Sequence, residues 1–394
     1  MERVRDILES MRGLFGKHSH DKTVGVIRLD GEASVAIVRQ RDEVPSEILA
    51  AELSPVTFEE RPPESVAAGT PAISAVFEAM HTKYAALVAR GIPPVSEVQV
   101  TLGDPWSTSK VVRATKKFGS DVIITEKMIA DLAKELLAEN STKDQDLFEA
   151  SVVRTELNGY NSGKPERKRA RQLSLSVLMS TFQSGSRASV QRIVEKLFPH
   201  VIPTFRSSIR ANTTVIQEVI PDSKDYLIVT ILSGATAFTV VRDGTMGESS
   251  ISEIGMASIV KRISASGMPE ETLTTLKMLA RDQCSEPACD IIRASMGTIE
   301  PELVRDYGEA LGKCAFERRV PNTLVLLSHP DILPWMARFF ARIDFAQFTL
   351  TTQPFDVRGV QIGDLSKLIS RADGVVVDSP LATACGLVNI EASR

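Results

Sequence analysis

The stretch Tyr226–Ser249, YLIVTILSGATAFTVVRDGTMGES, constrains the fold more than any other part of the chain. Two apolar runs flank the small residues Ser233, Gly234 and Ala235, and Asp243-Gly244 supplies a second turn. Strand-forming runs separated by a short turn read as an antiparallel hairpin. A second unit of this kind pairs VGVIRLD (Val24–Asp30) with SVAIVRQ (Ser34–Gln40) about Gly31-Glu32-Ala33.

With 394 residues and 43% apolar content, the chain has room for two or more domains with real cores. A net charge of -4 gives no electrostatic reason to expect a nucleic-acid partner. The four cysteines, Cys284, Cys289, Cys314 and Cys385, match no zinc spacing, so the expectation is reduced thiols and no metal. No apolar run of about 18 residues predicts a membrane span. The N-terminus lacks the features of a signal peptide, and a cytoplasmic protein is expected.

Val4, Ile7, Leu8, Met11, Leu14 and Phe15 recur at helical spacing among Arg3, Arg5, Arg12 and Lys17. A basic amphipathic helix of this kind can lie in a bilayer interface, meet a partner or pack on its own domain. Glu43–Pro71 reads as a polar, proline-rich stretch, and Ile73–Arg90 as a helix. VSEVQVTLG forms a third strand, and Thr125 caps a helix that runs through Leu137. Strands at Ala150–Leu157 and Gln172–Phe182 complete a compact α+β unit, and a helix at Ser189–Leu197 leads onward. A helical stretch from Pro269 to Arg318, the strand Asn322–Ser328, a helix at Asp331–Phe340 and a closing strand GLVNIEAS follow.

This order predicts an α/β protein of two lobes with a small α+β subdomain inserted in the first. The expected boundaries are an N-terminal helix and linker at 1–21, a first lobe at 22–106 and 185–225, and an insert at 107–184. A second lobe at 226–375 and a closing segment at 376–394 complete the division.

The order and content from Val24 to Ile390 resemble the bacterial actin-like proteins FtsA and PilM. Besides the Tyr226 hairpin, VQVTLGDPWSTSKVVR (Val98–Arg113), VIITEKMIADLAKEL (Val122–Leu136), ELNGYNSGKP (Glu156–Pro165) and FTLTTQPF (Phe348–Phe355) carry the resemblance. It implies the actin/Hsp70-type ATPase fold and assembly work at the inner face of the cell membrane. PilM-like relatives hold a membrane partner's cytoplasmic tail in the type IV pilus platform. FtsA-like relatives bind nucleotide and polymerise in cell division, and with a strand expected at the end of this chain no counterpart of their C-terminal amphipathic helix is expected.

The resemblance also locates a vestigial nucleotide site. At the second hairpin the family pattern is roughly Asp-x-Gly-Gly-x-x-Thr-Asp, with carboxylates for Mg²⁺ or a water. This chain has Thr230, Leu232, Ser233, Thr236 and Ala237 at those places. Thr230 and Ala237 bring no negative charge, and Leu232 lacks the freedom of glycine. At the first hairpin one pairing puts Arg28 at the family's Asp, and a two-residue shift puts Asp30 there. Near adenosine, Ser328-His329-Pro330-Asp331 replaces a glycine pair. Asp30, Gly31, Ser233, Gly234, Thr236 and Gly255 are what remains for a nucleotide.

The expectation is a scaffold without catalytic residues, cofactor or metal, its ATP and Mg²⁺ site degenerate. Its partners would be a membrane-protein tail, a pilus or divisome component or another copy of itself, with peripheral membrane contact through the N-terminal stripe. The alternative is an FtsA-like nucleotide-binding, polymerising protein. A sugar kinase on the same frame would need a catalytic Asp in the cleft and a substrate loop, and neither is evident. His329 and Asp331 read as a strand-end pair. Lys164, Arg167, Lys168, Arg169 and Arg171 read as a solvated basic loop that could face anionic lipid.

Overall fold

The computed structural model describes residues 21–393 except 43, 55–70, 142–145, 184, 265–266, 285–286 and 317. The first sheet contains β1 (Lys22–Leu29), β2 (Ala33–Gln40), β3 (Ser46–Leu53), β4 (Val95–Leu102), β9 (Pro203–Ser207) and β15 (Ile369–Arg371). The second contains β10 (Tyr226–Ile231), β11 (Thr236–Arg242), β12 (Thr245–Ser252), β13 (Thr323–Leu327) and β14 (Asp356–Gly359). Their orders are β15-β3-β2-β1-β4-β9 and β12-β11-β10-β13-β14.

Leaving β15 aside, the two sheets share one topology. In each, three antiparallel strands are followed by two that run parallel to the first. The helices are α1 (Pro71–Ala89), α2 (Glu126–Asn140), α3 (Ser186–Leu197), α4 (Ser208–Val219) and α5 (Met256–Ser264), then α6 (Pro269–Ala280), α7 (Pro287–Cys314), α8 (Leu333–Arg342) and α9 (Ser379–Ala392).

Alternation along β1 decides the layering, because successive strand side chains face opposite ways. Ile27 and Leu29 join an outer core with Phe77 of α1 and Val190 of α3. Val24 and Val26 face inward, where Val215 of α4 and Leu387 of α9 meet Tyr226 and Ile228 of β10. Beyond the second sheet, Leu227 and Val229 pack with α5, α6, α7 and α8. The layers run helix, sheet, helix, sheet, helix, with α4 and α9 shared by both sheets.

Between β4 and β9 the chain builds a third sheet from β5 (Ser107–Ile123), β6 (Asp146–Leu157), β7 (Tyr160–Asn161) and β8 (Arg169–Phe182), in the order β5-β8-β6-β7. Helix α2 packs on it, and Thr125 caps α2 by accepting from the Met128 amide at 3.2 Å. The joint to the first sheet is Glu149, which accepts from the Ser207 amide and hydroxyl at 2.9 and 2.6 Å and pairs with Arg210 at 3.3 Å. Arg154 also reaches Asp243 of the second sheet's β11–β12 turn at 3.2 Å, so the insert touches both lobes.

Three expectations are corrected. The closing segment is the helix α9, not a strand. Its apolar residues face every direction because sheets lie on both sides, which hides helical periodicity. Asp378 caps it, accepting from the Leu381 amide at 2.8 Å. Part of the polar Glu43–Pro71 stretch is β3, whose Ile48, Ala50 and Ala51 are buried. Cys284 and Cys289 form a disulfide between α6 and α7, while Cys314 and Cys385 are free and buried.

Candidate functional site

The C-terminal ends of β1, β10 and β13 open into one crevice, which the N-termini of α4 and α9 also face. Crevices at the carboxyl ends of parallel strands are where open α/β sheets place ligands. From the first sheet comes the turn Asp30-Gly31-Glu32, in which Gly31 takes φ +83°. From the second come the turn 232–235 and the segment Ser328–Asp331. Ser328 and Ser379 tie β13 to α9: the Ser328 amide donates to the Ser379 hydroxyl at 3.0 Å, and that hydroxyl donates to the Ser328 carbonyl at 3.1 Å.

Arg28 fills the centre. It is 1% exposed. Its Nη2 lies 2.6 Å from Asp30 Oδ1 and its Nε donates to Asp30 Oδ2, also at 2.6 Å, a two-pronged pairing of fork and carboxylate. Glu32 stands 3.7 Å from Nη2 and Asp378 stands 3.6 Å from Nη1. The Ser208 hydroxyl of α4 adds a contact to Asp30 Oδ2 at 3.4 Å. Gly103 makes room for this carboxylate, since a Cβ there would meet Asp30 Cβ at 2.6 Å.

One guanidinium thus faces three carboxylates, and the electrostatics follow from that count. Burial pushes the Asp30 carboxyl up to about 7, with Arg28 opposing the rise and Glu32 and Asp378 adding to it. Burial also raises Glu32, against the pull of Arg28. Burial alone would weaken the charge on Arg28, but Asp30, Asp378 and Glu32 together hold it firmly protonated. Across the crevice, His329 Nδ1 is 3.2 Å from Asp331 Oδ2. Burial disfavours the imidazolium, yet Asp331, Asp378 and Glu32 raise His329 above its ordinary value.

The second turn is occupied by its own chain. The Leu232 and Ser233 carbonyls accept from the Met256 and Ala257 amides at 2.8 and 2.9 Å, so the turn caps α5. Gly255 is required there: a Cβ would sit 2.3 Å from the Ala235 nitrogen and 2.4 Å from the Ser233 oxygen. Thr236 is fully buried and its hydroxyl donates to the Ile254 carbonyl at 2.6 Å. The Ser233 hydroxyl favours the charged form of Glu32 but makes no hydrogen bond of ordinary geometry.

Of the residues anticipated from sequence, Asp30, Gly31 and Ser233 meet in the crevice with Gly234 beside them. Gly255 and Thr236 serve the hairpin's own packing. Val4, Ile7, Leu8, Met11, Leu14 and Phe15 lie outside the described residues. In the basic loop, Lys168 donates to the Ser162 hydroxyl and Arg171 pairs with Asp121. Glu32 and Asp378 were missed. The run Asp378-Ser379-Pro380 carried a helix-start signal, since Asp favours the cap and Pro the first turn.

The residues present do not fit Mg²⁺ and a triphosphate. Arg28 and Thr230 hold equivalent places, each the penultimate residue of its hairpin's first strand. One brings a cation and the other a neutral hydroxyl to positions where a hard cation needs oxygen anions. The nearby carboxylates already face Arg28. Among the described residues no group of three or more His, Cys, Asp or Glu could hold a metal ion.

Solved structures share this architecture. A chain of a PilM-PilN type IV pilus biogenesis complex superposes with a TM-score of 0.62, covering 96% of this chain and 100% of its own at 11% identity. This chain has the actin-like fold of PilM. The ethanolamine utilization protein EutJ from Carboxydothermus hydrogenoformans aligns over 98% of both chains at 10% identity, with a TM-score of 0.45. No protein-family model and no curated protein matches the sequence. Among the described residues no helix is long and apolar enough to cross a membrane.

Proposed function

We propose that this chain is a non-catalytic, actin-like assembly scaffold of PilM type. It works at the cytoplasmic face of a membrane and holds the cytoplasmic tail of a membrane protein in type IV pilus assembly. The observation that carries the reading is the crevice filled by Arg28 and its three carboxylates. A cleft saturated by its own charges has no vacant cation position for nucleotide hydrolysis. The PilM fold, shared over nearly the whole length of both chains, supports the assembly role.

In this reading the first lobe runs over 22–106 with 185–225, the insert over 107–184, the second lobe over 226–375 apart from β15, which lies in the first sheet, and 376–394 is the closing segment. The N-terminal stripe from Val4 to Phe15 is the added contact with membrane or partner. The test is fluorescence anisotropy of labelled peptides copying the cytoplasmic tails of single-span pilus proteins. Saturable binding of one tail, with no dependence on ATP, is expected. Failure of every such tail to bind would overturn the reading.

A further inference from the structure

We propose that the end of the inserted subdomain farthest from its joint with the first lobe is a docking surface for an anionic lipid bilayer. The inference rests on the proposed membrane role and adds to it a contact made by the folded insert, separate from the crevice and from the N-terminal stripe.

The fold gathers the residues. Strand β8 runs from Arg169 to Phe182, and its Phe182 end pairs with Ser107 and Asp146, beside the joint with the first lobe. At about 3.3 Å per residue, the Arg169 end lies roughly 40 Å away along the strand. There Ile123 of β5 stands opposite Arg169. The Ile124 amide donates to the Lys168 carbonyl and the Arg167 amide to the Ile124 carbonyl, both at 2.9 Å. The β6–β7 turn joins them, because Asn158 Oδ1 accepts from the Arg171 and Gln172 amides at 2.8 and 3.0 Å. Residues 117–127 and 158–171 thus form one rim.

Charge is distributed unequally between this rim and the rest of the molecule. The rim carries seven cations against three carboxylates, while the remaining chain carries 39 cations against 47 carboxylates. All seven cations are exposed. Among the described residues the one ion pair in the rim is Arg171 with Asp121 at 2.9 Å, and Lys168 donates to the Ser162 hydroxyl at 2.9 Å. Lys117, Lys127, Lys164, Arg167 and Arg169 have no side-chain partner among the described residues. Cations without internal partners keep their full attraction for an outside anionic surface, felt within about 8 Å at physiological salt. The acidic remainder is repelled by the same surface, so the molecule approaches it rim first.

Two apolar side chains favour a bilayer over other polyanions. Ile123 is 53% exposed and Tyr160 is 79% exposed. They stand on β5 and β7, the two edges of the sheet, with Arg169 and Arg171 of β8 between them. Strands about 4.8 Å apart set these edges roughly 14 Å from each other. Such a rim fits the headgroup boundary, where the tyrosine ring meets hydrocarbon and its hydroxyl stays in water. A nucleic-acid backbone would use the cations but offers Ile123 no hydrocarbon.

The experiment is co-sedimentation of the full chain with phosphatidylcholine vesicles, with and without phosphatidylserine. Binding is expected only with phosphatidylserine and should weaken as salt is added. Lys164→Glu with Arg169→Glu should weaken it by about tenfold or more. Lys261→Glu with Arg338→Glu makes the same change of net charge at exposed positions of the second lobe, and should leave binding within about twofold. Unchanged melting temperatures show that both variants fold. Tyr160→Trp should shift its emission to the blue on the anionic vesicles, against the buried background of Trp106 and Trp335. No binding to anionic vesicles, equal losses in the two charge variants or an unshifted emission would overturn the rim. Tail-peptide anisotropy without vesicles separates the two ideas. Tail binding without vesicle binding defeats only the rim, whereas vesicle binding with no tail bound upholds the rim and defeats the assembly reading.

Discussion

Arg28 Nη2 stands 2.6 Å from Asp30 Oδ1, and both side chains are at most 4% exposed. An ion pair this deep costs several kcal/mol per charge to desolvate, and is held only if nearly every partner is present. Its position makes it the structural alternative to a bound cation: the positive charge belongs to the chain itself. Removing the guanidinium leaves three carboxylates without it. Arg28→Met should therefore destabilise by about 3–5 kcal/mol at pH 7, measured by urea unfolding, with a smaller loss at pH 5. A loss comparable to that of a surface pair, below about 1 kcal/mol, would contradict the arrangement.

The turn 232–235 is rigid because α5 begins against it. Gly255→Ala places a Cβ within 2.6 Å of three backbone atoms, and the backbone cannot step aside as a side-chain tip could. The expected loss is about 1–3 kcal/mol. Gly297→Ala in α7, with nothing within 4 Å of the added Cβ, is the control and should gain up to about 1 kcal/mol. Equal effects in the two variants would show that the turn yields.

The Cys284–Cys289 bridge closes a short loop at the start of α7. Thiol titration of the denatured protein should count two free groups before reduction and four after it, because Cys314 and Cys385 are unpaired. Reduction should lower stability by about 2 kcal/mol, the loop-closure entropy of so short a ring. Four free thiols without reductant would exclude the bridge.

Glu149 joins the insert to the first lobe through Ser207 and Arg210. Glu149→Ala would leave the Arg210 cation and the Ser207 donors short of a buried acceptor. Faster hydrogen exchange in β6 and β9, with exchange in β10 and β13 unchanged, is the expected pattern. Uniform acceleration across all three sheets would mean that the joint supports the whole fold.

Hairpins and capped helices were legible in the sequence because their signals are local. The Gly31 and Gly234 turns and the Thr125 cap each lie within a few consecutive residues, and α1 is one unbroken helical run. Helix α9 was not legible, because burial between two sheets makes Leu381, Ala384, Cys385 and Leu387 apolar on all sides. The crevice was half legible. Arg28 on β1 and Asp30 just after it stood out, whereas Glu32 and Asp378 are 346 positions apart in the chain and meet only through the fold. The Cys284–Cys289 pairing depends on how α6 turns into α7, which spacing alone does not reveal.

Isothermal titration of the full chain with ATP, with and without Mg²⁺, tests the central claim most directly. A crevice filled by Arg28, Asp30, Glu32 and Asp378 predicts no detectable heat at millimolar nucleotide, and no change on adding the metal. Binding tighter than about 100 μM, or about -5.5 kcal/mol, and strengthened by Mg²⁺, would contradict it.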